Sequence, residues 1–264
     1  MRHLAYAIFL SAGLLLQPLA SSANCGREFK VGTSAGIIVK QNEGVNDLAD
    51  MLWSEIKKRT DCTFSERPLS LTKALDEINN HRIDIVAFAF KDSKWEQSAD
   101  FQSIYSVDRI LLIAKKFYKP QLSVSDYLKN SEIVFGTTSG GMLYMKNEEL
   151  TQLDKAKRVK FDPFPDGVLQ LLAQNKVQAA FVTPAVYRRY LKPFNLGKVV
   201  EPVGDPENSL SLSLYFSKKR VSAKEQAIFL TAIKQIQQDG TLRKILLRFV
   251  TEEDLKKYYH FGGN

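Results

Sequence analysis

Histidine and cysteine are scarce in this chain, and that scarcity removes several kinds of chemistry. Three histidines and two cysteines occur in 264 residues. His3 falls in an apolar leader, His81 just before a strand-like run and His260 in the tail, so no His/Cys/Asp/Glu group has metal-ligand spacing. The expectation is therefore no metal and no cofactor. A Gly-x-x-x-x-Gly-Lys-Ser/Thr phosphate loop is also missing, as are short-period repeats and low-complexity segments. Beyond the leader, no apolar run approaches the roughly 20 residues that a spanning helix needs.

The leader itself, 1–23, has the form of a secretory signal. Arg2 and His3 give a basic start, Leu4 to Leu16 an apolar run, and Ser21 and Ala23 small residues suited to cleavage before Asn24. Gln17 and Pro18 break the run too early for a membrane anchor. Lipidation of Cys25 is the other reading, and Asn24 is bulkier than the residue normally found before a lipidated cysteine. The expected location is the periplasm, with roughly 240 residues left for one large domain or two lobes. In an oxidising compartment Cys25 and Cys62 are expected to pair, because each opens a strand-like run and neighbouring parallel strands would bring them together.

Charge is unbalanced, with 37 Lys+Arg against 29 Asp+Glu, but the cations are dispersed. Lys57-Lys58, Arg188-Arg189 and Lys218-Lys219 sit at helix ends or turns, where a solvated cation is the ordinary outcome. Nucleic acid is not an expected partner, and the chain is expected to act as a monomer.

What the sequence does contain is alternation of β-rich runs with helical periodicity, the signature of an α/β fold with parallel sheets. Phe29–Thr33 reads as a strand, and Leu48, Leu52 and Ile56 as one helical face behind an Asn46 cap. Thr63–Arg67 and Ile83–Ala89 follow as strands around a helix carrying Leu71, Ala74, Leu75 and Ile78. A second series starts after a strand at Arg109–Ala114. It has strands at Glu132–Phe135, Val159–Asp162 and Val177–Val182, a glycine-rich turn from Gly136, and helices from about Gly141, around Val168–Leu172 and from Pro184. Val199–Val203, a Gly204-Asp205-Pro206 turn and the alternating Leu210–Phe216 lead to a helix with the capping box Ser222-x-x-Glu225, closed by Gly240. A last helix spans 242–249, and the 250–264 tail reads as a surface helix that frays.

Taken in order, these segments resemble the bacterial extracellular solute-binding proteins of family 3, the type II periplasmic receptors that commonly serve amino-acid ABC importers. The likeness is carried by Phe29-Lys-Val-Gly-Thr33, Leu75 to Ile85, Ala99-Asp100-Phe101 with Tyr105, Gly136-Thr-Thr-Ser-Gly-Gly141, Leu171 to Ala180 and Asp239-Gly240-Thr241. It implies a two-lobed α/β fold with 24–113 and 213–264 in one lobe and 114–212 in the other, joined by two hinge strands. A small solute would be trapped between the lobes and passed to an ABC permease or reported to a membrane sensor.

The resemblance also points to ligand contacts: Thr33 and Ser34 after the first strand, Phe90 and Lys91 after the third, and Thr138, Ser139, Gly140 and Gly141 at a helix N-terminus. Relatives place an Arg for the ligand carboxylate a few residues beyond Phe90. Counting back from Asp100 puts Trp95 there, and counting forward from Asp84 puts Glu96. Where relatives that bind α-amino acids carry an Asp for the ammonium, this chain has Thr183. Neither Trp95 nor Thr183 offers the charge, so the implied cargo is not a standard α-amino acid. Lys91, Lys94 or Arg109 are the substitute cations, and Trp95, Tyr105, Phe164 and Tyr187 the aromatic wall, with Phe88 and Phe135 in the core. Two other functions stay open: a dehydratase-like enzyme for cyclic acids, using Asp92 or Glu96, and an interaction protein with a poor cleft.

Overall fold

A computed structural model describes residues 25–34, 48–91, 93–138, 144–162 and 164–261. The 1–23 leader, the Asn46 cap, Asp92 and the Ser139–Gly141 turn lie outside the described residues. In chain order the first half contains β1 (Glu28–Ser34), α1 (Leu48–Thr60), β2 (Thr63–Leu69), α2 (Leu71–Asn79), β3 (Ile85–Phe90) and a single 3₁₀ turn (Ser93–Trp95). The long β4 (Ala99–Ala114) leads into α3 (Val124–Lys129), β5 (Phe135–Thr138), α4 (Asn147–Lys155), β6 (Val159–Asp162), α5 (Pro165–Ala173), β7 (Ala179–Val182), α6 (Pro184–Leu191) and α7 (Leu196–Val199). The equally long β8 (Val200–Ser217) returns to α8 (Ala223–Gln238), α9 (Thr241–Leu246), α10 (Glu252–Tyr258) and β9 (Tyr259–His260).

The strand order β2-β1-β3-β8-β4-β7-β5-β6 has an internal symmetry. Each end is three parallel strands, and β8 and β4 are the antiparallel pair in the middle. Buried strands such as Ile85-Val-Ala-Phe-Ala89 read as unbroken apolar runs because helices cover both faces. One core lies under α1, α8 and α5, and further clusters lie on the opposite faces of the two ends. The disulfide joins Cys25 to Cys62 across 5.2 Å between Cα atoms, next to the Glu28–Thr63 pairing of β1 with β2.

Several elements differ from the sequence expectation. The strand at Arg109–Ala114 is only the second half of β4, whose first half mixes polar residues into a strand paired along β8. From Ile110 onward β4 pairs with β7, whereas Ser106 and Val107 pair with β9 and β3 joins β8 from Leu212 to Phe216. Residues 110–113 thus sit with the second half. Gly204-Asp205-Pro206 is no turn between strands: β8 runs through it and the register slips there, Asp108 facing Ser209 and Arg109 facing Asp205. Pro206, which has no amide to donate, falls in that slip.

Gly136, read as the start of a turn, is inside β5. An added Cβ would meet Val168 at 2.9 Å and Val177 at 3.2 Å, so the glycine serves the close approach of α5 to the sheet. The helix expected from about Gly141 begins at Asn147, and α9 stops at Leu246. The tail is not a surface helix as far as His260, while the fraying expected at Gly262-Gly263 lies outside the described residues. Leu255, Tyr258 and Tyr259 are buried, and β9 adds to β4.

Candidate functional site

A cavity of about 220 Å³ lies where the two halves meet along β4 and β8. The first half lines it with Leu48, Phe90, Tyr105, Val107, Leu212, Arg248, Phe249 and Tyr259, and the second with Tyr144, Thr183, Ala185, Val186, Arg188 and Arg189. Among the described residues that line it there are three arginines and no carboxylate.

Phe90 reaches the cavity through a backbone irregularity. Phe88 has φ +61°, in the left-handed region that bulky residues avoid, and the pairing of β3 with β8 slips between Ala87 and Ala89. The extra residue keeps Phe88 in the core beside Trp53, with ring centroids 6.2 Å apart, and re-aims the end of the strand. Such strain is held by the surrounding packing and concentrates at binding sites. On the opposite wall Thr183 ends β7 and caps α6, its hydroxyl accepting from the Val186 amide at 3.5 Å.

Tyrosines form the floor. Tyr105 and Tyr259 have ring centroids 5.6 Å apart. Burial pushes their hydroxyls, and that of Tyr144, well above the usual phenol range, so all three are neutral donors or acceptors. Tyr259 lines the cavity together with Ala185 at the start of α6, so β9 faces the second half across it.

The residues picked out from sequence do not stay together. Phe90, Tyr105 and Thr183 line the cavity. Tyr187 lines a smaller neighbouring cavity of about 110 Å³ with Ile110, Arg188, Asp254 and Tyr258. Thr33 and Thr138 are half-buried at the ends of β1 and β5, and Ser34 ends β1. Lys91 is exposed, 3.4 Å from Glu96 and over the Phe101 ring at 4.2 Å.

Trp95 and Arg109 belong to the interior. Trp95 is 1% exposed and packs on Tyr215 at 4.9 Å, among Leu69, Ala74, Ile78 and Ala89. A large apolar ring on a short turn is drawn into the nearest core. Arg109, expected as a solvated or ligand-facing cation, is 2% exposed and stacks over Phe181 at 4.1 Å. Its guanidinium donates to Asp205 at 2.6 Å, to both Glu149 oxygens at 2.6 and 2.8 Å, and to the Tyr144 carbonyl at 2.6 Å. Burial would raise the Glu149 carboxyl, but the Arg109 hydrogen bonds outweigh it and hold the group below its ordinary value. Arg109 thus fixes the Tyr144 to α4 segment from behind instead of facing the cavity. Phe164, offered as an aromatic wall, is 66% exposed and lines no described part of the cavity.

Sequence reasoning missed Leu48, Tyr144, Arg188, Arg189, Arg248, Phe249 and Tyr259. The one available signal was that Arg188 and Arg189 fall just over one turn after the Thr183 cap. Arg188 is bridged to Asp254 of α10 through two hydrogen bonds, at 2.6 and 2.8 Å.

No family model matches the chain. It is similar to the L-cystine-binding protein TcyA of Bacillus subtilis (strain 168), 23% identical over 202 residues that cover 76% of this chain and 70% of the relative. Among solved structures, a candidate binding component of an ABC transporter from Wolinella succinogenes, complexed with lysine, superposes with a TM-score of 0.70 at 16% identity, covering 87% of this chain and 98% of that one. A histidine kinase sensor domain with similarity to periplasmic binding proteins gives 0.66 at 16% identity, covering 85% and 96%. The likeness to solute-binding proteins seen in the sequence therefore extends over the tertiary structure, and the chain has the two-lobed fold of the type II periplasmic binding proteins.

Proposed function

We propose that this protein is a solute receptor that captures a small organic molecule between its two lobes for an ABC importer or a membrane sensor, without catalysis. The observation that carries this reading is the cavity built from both halves across the paired strands β4 and β8. These strands are where a hinge would act, and a ligand touching both walls favours the closed state by its differential contacts. Phe90 and Thr183 are contacts in this reading. The similar proteins are themselves named for binding or sensing. The location that follows is outside the cytoplasmic membrane, after removal of the leader.

The cargo in this reading is not a standard α-amino acid. Trp95 is committed to the core and Thr183 carries no charge, so neither end of a zwitterion finds the partner that relatives provide. Thermal unfolding against a broad metabolite panel, paired with small-angle scattering, tests the function: a stabilising solute should also compact the molecule. Absence of any stabilising solute, with no change in radius of gyration, would defeat it. Tight binding of one free α-amino acid would defeat the cargo assignment alone.

A further inference from the structure

Resting on the receptor reading, the cavity's charge also assigns the class of its occupant. We propose that it takes a small organic carboxylate with an apolar or aromatic body and no ammonium group, and that Arg248 receives the carboxylate.

The argument starts from the imbalance of the lining, in which Arg188, Arg189 and Arg248 meet no carboxylate among the described lining residues. Arg188 is already neutralised by Asp254. Arg248 differs: it stands in the turn after α9, exposed, with no ion pair among the described residues. Of the three acids in the adjoining tail, Glu252 is held by Arg243 and Asp254 by Arg188, and Glu253 lines the smaller neighbouring cavity and not this one. A guanidinium at the edge of an apolar pocket presents a planar fork to a carboxylate, and the low-dielectric wall behind it strengthens the attraction. Phe90, Tyr105, Leu212 and Phe249 offer the apolar surface for the rest of the molecule. An ammonium placed at Arg248 would meet a like charge with no carboxylate among the described lining residues, so the same edge that attracts an acid repels an amine. This cation comes from the α9–α10 turn, not from the segment after β3 where the sequence comparison seeks an arginine.

The test uses the full secreted protein and a panel of mono- and dicarboxylates of four to twelve heavy atoms, each matched with its primary amide and its amine, titrated by calorimetry. The expected best ligand is a carboxylate at least about tenfold tighter than its amide, with affinity falling as salt rises. R248Q should weaken it about tenfold or more, with a smaller effect on the amide, while leaving the unfolding temperature of the free protein unchanged because the side chain is exposed. R248K should fall between, keeping the charge and losing the fork. An amide, amine or zwitterion that binds as tightly as the best carboxylate overturns the proposal and leaves the receptor reading standing, as does R248Q with undiminished carboxylate affinity. No binding by any class, with no compaction, overturns both.

Discussion

The two walls of the cleft are built alike but place their expected ligand positions differently. Each comes from three parallel strands beside one long antiparallel strand, and each has a segment leaving the sheet toward the cavity, at Phe90 on one side and Thr183 on the other. On the first wall the candidate ligand position, Trp95, lies outside the cleft in the core, 1% exposed against Tyr215. On the second, Thr183 still lines the cavity and still caps a helix, but without a charge. One position is fixed by packing, the other by capping a helix at the cavity wall. A residue that holds the core together cannot be made a ligand contact by one substitution, whereas one that faces the cavity without a charge can.

The largest effects should come from interior residues that resemble ligand contacts in the sequence. Arg109→Leu leaves the buried Asp205 and the half-buried Glu149 without their cation and should cost about 3–5 kcal/mol in chemical denaturation. Trp95→Ala should cost about 3–5 kcal/mol through the cavity left beside Tyr215. Trp95→Phe should leave ligand affinity unchanged; a large loss of affinity without a loss of stability would return Trp95 to the cleft and break the comparison.

Removing the Cys25–Cys62 link by C62A should cost about 2–4 kcal/mol, read as a lower denaturation midpoint under oxidising conditions. It should not alter ligand affinity, since the bond lies at the outer edge of the sheet where β1 and β2 begin.

The pH dependence of stability follows from the carboxylates held below their ordinary range. For Glu149, burial acts upward and the Arg109 hydrogen bonds act downward and win. For Asp254, burial again acts upward and the bonds from Arg188 and Thr251 prevail. A depressed carboxylate contributes its stability above its unfolded value, roughly pH 4, and loses it as the pH falls through the folded value. The wild-type unfolding temperature should therefore drop on acidification below about pH 4–5 more steeply than that of the Glu149→Gln/Asp254→Asn variant, which starts lower at neutral pH.

The smallest and most pointed change is Thr183→Asp. Asp is as good an N-cap as Thr, so stability should shift by less than about 1 kcal/mol. The new carboxylate should raise affinity for amine-bearing solutes relative to their acid counterparts in calorimetry. If the selectivity is unmoved, Thr183 is only a cap and the second wall has also passed from recognition to structure.

Much of the architecture could be read from periodicity, because apolar spacing reports which face is buried. The i, i+3, i+4 pattern of α2, the Ser222–Glu225 capping box and the Gly240 stop at φ +78° all appear where the residues place them. Gly136 could not be read in this way. A glycine marks a turn or a close approach equally well, and only the position of Val168 on α5 distinguishes them. The tail was misjudged for a similar reason: Lys256, Lys257 and the two tyrosines look solvated until Tyr258 and Tyr259 are seen under the Asp254–Arg188 bridge.

By itself, then, the sequence determined the alternation of strands and helices, the pairing of Cys25 with Cys62 and the likeness to two-lobed receptors, since these depend on local pattern and on order along the chain. Only the tertiary structure decided which cations face the cavity. Arg109 and Arg248 are the same residue type in unremarkable contexts. The first is buried because β8 and α4 bring Asp205 and Glu149 to it, and the second stays at the cavity edge with no ion pair among the described residues, since Glu252 and Asp254 of the adjoining tail are held by other arginines. Partners separated by 40 to 96 positions fix the role of Arg109, and no local pattern carries that information.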